Sequence, residues 1–260
     1  KFNGMFAFAA YERDSGRLLL ARDRLGIKPL YVARSEGRIA FASTLPALLA
    51  AGGVDTSIDP VALNHYMSFH AVVPAPRTIL NGVRKLPPAT VRTYGPDGSE
   101  ESNTFWQLRV GTREEDRGVG EDEWRERLLE SLRSAVRRRM VSDVPVGVLL
   151  SGGVDSSLIV GLLAEQGQAG LNTFSVGFET VGDEEGDEFR YSDLIAETFA
   201  TQHHKIRVPT SVLLDNLPAT IAAMSEPMVS HDNVGFYLLA QEVSKHLKVV
   251  QSGQGADEAF

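Results

Sequence analysis

Val146-Gly-Val-Leu-Leu-Ser-Gly-Gly-Val-Asp-Ser-Ser157 decides how this 260-residue chain is read. Val146–Leu150 is short, apolar and partly β-branched, which fits a strand buried in a parallel sheet. Ser151–Ser157 follows as a glycine- and serine-rich turn, and Leu158–Gln166 continues as a helix. In this order the glycines, Gly152 and Gly153, let backbone approach an anion. The helix N-terminus aims N–H groups and the positive end of its dipole at the same point. Ser151, Ser156 and Ser157 add hydroxyl donors. No Gly-Lys-Ser/Thr follows, so the loop is not the mononucleotide P-loop. Lacking that lysine, it suits a phosphate group that leaves, with Asp155 available to a magnesium ion. A turn that merely caps a helix is the bland alternative. Six fixed positions, each of a residue type at ~7 % usage, arise by chance on the order of 10⁻⁷ per window, which favours the functional reading.

The surrounding pattern alternates. Trp124, Leu128, Leu132, Val136 and Met140 recur at helical spacing and predict a helix over Asp122–Val141. Strands are expected at Asn172–Gly177, His203–Val208 and Lys248–Gln251, with helices at Tyr191–Ala200 and from Ser230 to about His246. Such β/α alternation predicts a doubly wound parallel sheet, whose ligands sit beyond the carboxyl ends of the strands. Ser151, Val176 and Ser252 all fall at such ends. Ser252-Gly-Gln-Gly-Ala-Asp-Glu258 is a second glycine loop after a strand. One nucleotide could touch all three, and Asp155 and Asp257 could share a magnesium. The acidic run Glu179–Glu188 reads as solvated surface. His203 and His204 are adjacent in a strand, point to opposite faces and make a poor metal site.

The first half reads differently. Short β-like runs at Met5–Tyr11, Arg17–Ala21, Leu30–Ala33, Arg38–Ala42 and Thr90–Tyr94 are separated by turn residues, which predicts an antiparallel sheet. Helices are expected at Thr44–Ala51 and Asp59–Phe69, the second capped by Ser57 or Asp59 with Pro60 in its first turn. Arg22-Asp23-Arg24 could be an active-site cluster, but a structural knot at a strand end is favoured.

Apolar residues are 43 % and charged residues 23 % of the chain, an ordinary globular composition. No apolar run approaches a membrane span, so no membrane partner is expected. There is no cysteine, which excludes disulfides, zinc–thiolate sites and a cysteine nucleophile within this chain and fits a cytoplasmic setting. The net charge of −8 is uneven: residues 1–120 carry 15 basic and 12 acidic residues, and the remainder 11 and 22. The break lies in the polar stretch 111–120, read as a linker between domains at 1–110 and 121–260. Neither half is basic enough for a nucleic-acid partner. Arg137–Arg139 reads as a helix C-terminus complementing its dipole. The chain starts and stops inside expected elements and is taken to be a fragment.

These residues resemble a known family. Ser151–Ser157 is similar to the pyrophosphatase-type loop (PP-loop) of ATP-dependent amidotransferases. Together with Phe2-Asn-Gly-Met-Phe-Ala-Phe8, Ala21-Arg-Asp-Arg-Leu-Gly-Ile-Lys-Pro-Leu-Tyr31 and Phe41-Ala-Ser43, the chain resembles glutamine-hydrolysing asparagine synthetases along nearly its whole length. The resemblance implies part of an N-terminal-nucleophile glutaminase, an α/β/β/α sandwich, followed by part of an adenine-nucleotide α-hydrolase domain. It implies ATP and Mg2+ as cofactors. The partners implied are small molecules only (ATP, glutamine and a carboxylate acceptor), with a homodimer as an option. The family's glutaminase cysteine and its Asn-Gly-Glu segment lie upstream of the segment matching Lys1, so Asn3-Gly4 is not the oxyanion hole. Leu150, Ser151, Gly152, Gly153, Asp155, Ser156, Ser157, Val176, Ser252 and Gly253 match nucleotide-contacting positions. Asp155 and Asp257 match the magnesium and pyrophosphate positions.

Two departures matter. Gln254 stands where the family's second loop carries an acid, and an amide neither acts as a general base nor bears charge. With Ser225–Gly235, this loop is most similar to the branch that amidates N-acetylglutaminylglutamine. Thr44 follows Phe41-Ala-Ser43 where the family often has Glu. The expected function is adenylation of a carboxylate by ATP with pyrophosphate release, then attack by glutamine-derived ammonia to give an amide and AMP. Aspartate as the acceptor, a β-lactam-forming relative and a non-catalytic nucleotide-binding module are the rivals.

Overall fold

The structure is a computed structural model describing residues 2–35, 37–179, 189–230 and 232–256. The chain divides into two compact units. One comprises Lys1–Gly111 with Ala223–Val229, and the other Thr112–Ala222 with Ser230–Phe260.

The first unit stacks two antiparallel sheets. β1 (Ala7–Glu12), β2 (Arg17–Arg22), β6 (Thr90–Tyr94) and β7 (Glu100–Thr104) form one, in the order β1-β2-β6-β7. β3 (Tyr31–Ser35), β4 (Arg38–Ala42) and β5 (Val83–Lys85) form the other, in the order β4-β3-β5. Alternate residues of each strand face the space between the sheets. Leu20 and Tyr94 from one sheet meet Val32 of the other there, with Leu30 and Leu86 alongside. The opposite face of β3 and β5 presents Tyr31, Ala33 and Val83 to Leu45 and Leu48 of helix α1 (Leu45–Ala50). The layering is therefore β/β/α over this segment. Thr44 caps α1, its hydroxyl accepting the Ala47 N–H at 3.4 Å, which accounts for a short hydroxyl residue at this departure. Asp59 caps α2 (Pro60–Ser68) by accepting from Val61 and Ala62, with Pro60 in the first turn, as the sequence predicts.

The second unit is a four-stranded parallel sheet. Its strands are β8 (Val146–Leu149), β9 (Asn172–Phe178), β10 (Gln202–Val208) and β11 (Val249–Gln251), in the order β10-β9-β8-β11. Helices α3 (Glu121–Arg139), α4 (Val154–Glu165) and α5 (Phe189–Thr198) cover one face. There Val148, Leu150, Val160 and Leu163 pack with Leu132, Val136 and Ala196. α6 (Thr210–Ala223) follows β10. α7 (Asp232–Val243) covers the other face, where Leu239 and Val243 meet Phe174. The chain thus winds outward from β8 to β10, then returns to place β11 on the other side of β8. The gap between β8 and β11 is the topological switch point, where doubly wound sheets form their ligand crevice.

Several expectations are corrected. α4 begins at Val154, so Asp155, Ser156 and Ser157 lie in its first turn rather than in the loop before it. Trp124 and Leu128 belong to the helical pattern of α3, yet stay exposed at its N-terminal end. Residues 112–120 group with the second unit, where Asp116 pairs with Arg127 of α3 at 3.0 Å. Ala223–Val229 groups with the first unit, because Ser225 and Glu226 bond to Leu45, Tyr31 and Lys85. Strands β5 and β7 and helix α6, all absent from the sequence reading, are present.

Candidate active site

The site is built where β8 and β11 end. The Leu150 N–H donates to the Phe174 carbonyl at 2.8 Å, holding the chain to β9 for one more residue before it turns. Gly152 then takes a φ of +91°, a conformation that favours glycine. A β-carbon on Gly152 would also sit 2.5 Å from the Tyr191 Cβ and 2.7 Å from the Ser192 nitrogen, so the turn is pressed against α5. The Ser151 hydroxyl accepts the Gly153 N–H at 3.2 Å and lies 3.0 Å from the Ser156 Oγ. Gly153 caps α4 without a side chain. The N–H groups of Val154, Asp155 and Ser156, which start the helix, have no intrahelical carbonyl to meet.

The second loop comes in from β11. Ser252 accepts the Gln254 N–H at 3.1 Å. Gly253 packs directly on the first turn of α4, 3.1 Å from the Ser156 nitrogen by the same β-carbon measure. Between the two loops opens a cavity of about 330 Å³. Leu150, Ser151, Gly153, Asp155, Ser156, Val176, Ser252, Gly253 and Gln254 all line it. Gly152 and Ser157 do not. Gly152 shapes the turn from behind, and the Ser157 Oγ is buried with no hydrogen-bond partner among the described residues. Asp257 lies outside the described residues.

The cavity has two chemically different ends. Backbone N–H groups, the hydroxyls of Ser151, Ser156 and Ser252 and the dipole of α4 make an anion-binding end, and Ser175 of β9 also lines the cavity. Leu149, Phe174 and Val176 from the sheet and Phe236 and Leu239 from α7 make an apolar end. The sequence reading missed Phe236 and Leu239, although their i, i+3 spacing on one helix face was a usable signal. Among the described residues the Asp155 carboxylate makes no hydrogen bond or ion pair, and it is exposed at the anion-binding end. Gln254 is likewise exposed, and its side-chain amide bonds to no described residue.

The cluster Arg22–Asp23 in the first unit is a structural knot. Arg22 donates to the carbonyls of Gly26, Lys28 and Leu86 at 2.6–2.8 Å. Asp23 accepts the N–H groups of Phe6, Leu25, Ile27 and Lys28 at 3.0–3.2 Å. Burial alone would raise the Asp23 carboxyl, but these four donors outweigh it and hold it below the usual carboxylate range.

Comparison with known proteins agrees with both halves. The profile of the asparagine synthase family matches residues 127–260, the half that carries both glycine loops. This chain belongs to the asparagine synthase family. The profile of the glutamine amidotransferase domain matches residues 1–106. An asparagine synthetase [glutamine-hydrolyzing] of Bacillus subtilis is 36 % identical over the whole of this chain. A putative asparagine synthetase [glutamine-hydrolyzing] of Mycobacterium bovis is 34 % identical, and one of Methanocaldococcus jannaschii 31 %. The chain spans 40 %, 40 % and 50 % of the lengths of these three relatives. The asparagine synthase half is the parallel α/β unit, and the amidotransferase half is the stacked-sheet unit. No helix among the described residues is long and apolar enough to cross a membrane.

Proposed function

We propose that the protein is an ATP-dependent, glutamine-hydrolysing amidotransferase. It converts a substrate carboxylate to an amide, with release of pyrophosphate and AMP. The observation that carries this reading is the cavity at the β8/β11 switch point, where an anion-binding end and an apolar end lie within reach of one nucleotide. The apolar end would take the adenine base, and the N-terminus of α4 with Ser151, Ser156 and Ser252 would take the phosphates. The Gly152 turn and the close packing of Gly253 hold these donors in place before the nucleotide arrives, so little reorganisation accompanies charge movement to the leaving pyrophosphate. Asp155, a carboxylate at the phosphate end with no partner among the described residues, fits a divalent cation, and Asp257 is the second ligand expected from the sequence. Magnesium bound there would neutralise phosphate charge. Ammonia would come from glutamine hydrolysed by the amidotransferase half.

The acceptor proposed is an acylated dipeptide, N-acetylglutaminylglutamine, on the ground that Gln254 replaces the family acid at the cavity wall. A specific observation favours aspartate instead: 36 % identity to an asparagine synthetase over the whole of this chain. Pyrophosphate release by the full-length protein, with ATP and each acceptor in turn, separates the two. Release with neither acceptor, or undiminished release by Asp155→Asn, would overturn the proposal.

A further inference from the structure

Behind the first glycine loop stands a half-buried histidine that is not itself part of the cavity lining but meets Ser175, which is. We propose that His203 is a positioning residue for that loop, acting through Ser175 on one side and Ser192 on the other; this rests on the reading of the loop as the ATP site. His203 Nε2 lies 3.3 Å from the Ser175 Oγ and 3.2 Å from the Ser192 Oγ. The Ser175 hydroxyl donates a very short hydrogen bond to the carbonyl of Leu150, the last residue before the loop turns. Ser192 donates to the Phe189 carbonyl at 3.2 Å, and its backbone nitrogen is the one pressed against Gly152.

Proton accounting fixes the tautomer. Both serine hydroxyl protons are committed to carbonyls, so each Oγ is left as an acceptor, and Nε2 must carry a hydrogen to serve them. Nδ1 is then an acceptor, met by the Thr173 Oγ1 at 2.9 Å, with Thr201 2.8 Å further along. The neutral imidazole satisfies this chain. Protonation would add a hydrogen at Nδ1, force Thr173 to reverse, and place a charge in a half-buried site. Burial first, then Lys205 and His204 from β10 itself, push the ring toward neutrality. Against them stand Asp193 of α5, 3.9 Å away and already paired with Lys205, and a hydrogen bond to the Thr173 backbone. β9 contributes hydroxyls and no charge.

The test is ATP–pyrophosphate exchange by the full-length protein, with glutamine hydrolysis and thermal melting measured alongside. His203→Leu removes the donor and is expected to raise the KM for ATP about tenfold, with glutamine hydrolysis unchanged. His203→Gln keeps an N–H donor and is expected to stay within about threefold. In wild type the KM should rise in acid, at a pH below the ordinary imidazole value of about 6.5 because the folded ring is held toward neutrality, and His203→Gln should lack that rise. A Leu variant with wild-type KM, equal impairment of Leu and Gln variants, or an unchanged acid rise in His203→Gln overturns the assignment of His203 alone. A wild-type protein without exchange overturns the ATP reading, and this inference with it.

Discussion

Asp155, in the first turn of α4, and Gly253, on the loop after β11, are 98 residues apart in sequence and touch: a β-carbon on Gly253 would lie 2.9 Å from the Asp155 Cβ. The contact explains why the second loop carries a glycine here, although its φ is not in the left-handed region. Any side chain would push the loop after β11 away from the first turn of α4 and widen the phosphate end of the cavity. Gly253→Ala should therefore lower stability by about 1–3 kcal/mol, the usual cost of overpacking. It should weaken ATP binding more than melting alone predicts, because the added methyl acts at the site itself. Isothermal titration with ATP at a temperature where both proteins are folded checks this, and unchanged affinity would refute it.

The Asp23 knot predicts a pH dependence for the first unit. The carboxyl titrates below its unfolded value of about 3.9, so its contribution is fully present above that pH. It is lost as pH falls through the folded value. Asp23→Asn leaves backbone donors facing an amide that carries only one acceptor oxygen, at a cost of about 1–3 kcal/mol near neutrality. The gap between wild type and variant should close as pH falls below about 4. Denaturant midpoints across that range measure it, and a constant gap would show that the knot is not electrostatic.

The parts of this fold that were legible in sequence carry local signals. Asp59-Pro60 is a helix start whatever surrounds it, and Arg38–Ala42 and Thr90–Tyr94 are strands as expected. β7 was missed because all five of its residues are polar and exposed; only the partner strand β6 makes it a strand. α6 was missed because Pro218 interrupts its pattern. The glycine loops were legible as local residue patterns, in which Gly152 answers to a φ of +91° and Gly253 to its close packing on α4. Ser175, Ser192, Phe236 and Leu239 were not, because their roles depend on packing between elements 25 or more residues apart. Tyr31 and Glu226 show the extreme, a hydrogen bond across 195 residues.

That bond predicts alkaline behaviour. The Tyr31 hydroxyl donates to the Glu226 Oε1 at 2.7 Å, and Lys85 Nζ donates to the Oε2 at 2.9 Å. Burial first, then the neighbouring carboxylate, push the Tyr31 phenol up to about 12, while Ser225 works the other way. A raised phenol contributes stability that is fully present below the unfolded value of about 10 and is lost as pH climbs through the folded one. Among the chain's six tyrosines, one should titrate late in a tyrosinate absorbance curve, and Tyr31→Phe should remove that late step. If the late step survives in Tyr31→Phe, another tyrosine is responsible.

Gln254 tests the choice of acceptor. It lines the cavity beside Gly253, it is exposed, and its amide is engaged by no described residue. On the proposed reading, the amide answers to what binds. Aspartate brings an α-ammonium close to the carboxylate being activated, and an acid at this position can face that cation. An acylated dipeptide brings none, so an acid would meet only the incoming carboxylate and the triphosphate. At ~5 Å, like charges cost about 1–3 kcal/mol between aqueous and protein-surface screening, or roughly five- to a hundredfold in rate. Gln254→Glu should therefore slow pyrophosphate release with the dipeptide by a factor in that range. The loss should lessen with added salt, because the site is open to screening. Glutamine hydrolysis without acceptor should be unaffected. Initial rates of pyrophosphate release at saturating dipeptide, for wild type and variant at two ionic strengths, decide the matter. Equal rates would mean that charge at position 254 does not select the acceptor. A wild type that releases pyrophosphate faster with aspartate than with the dipeptide would make aspartate the substrate.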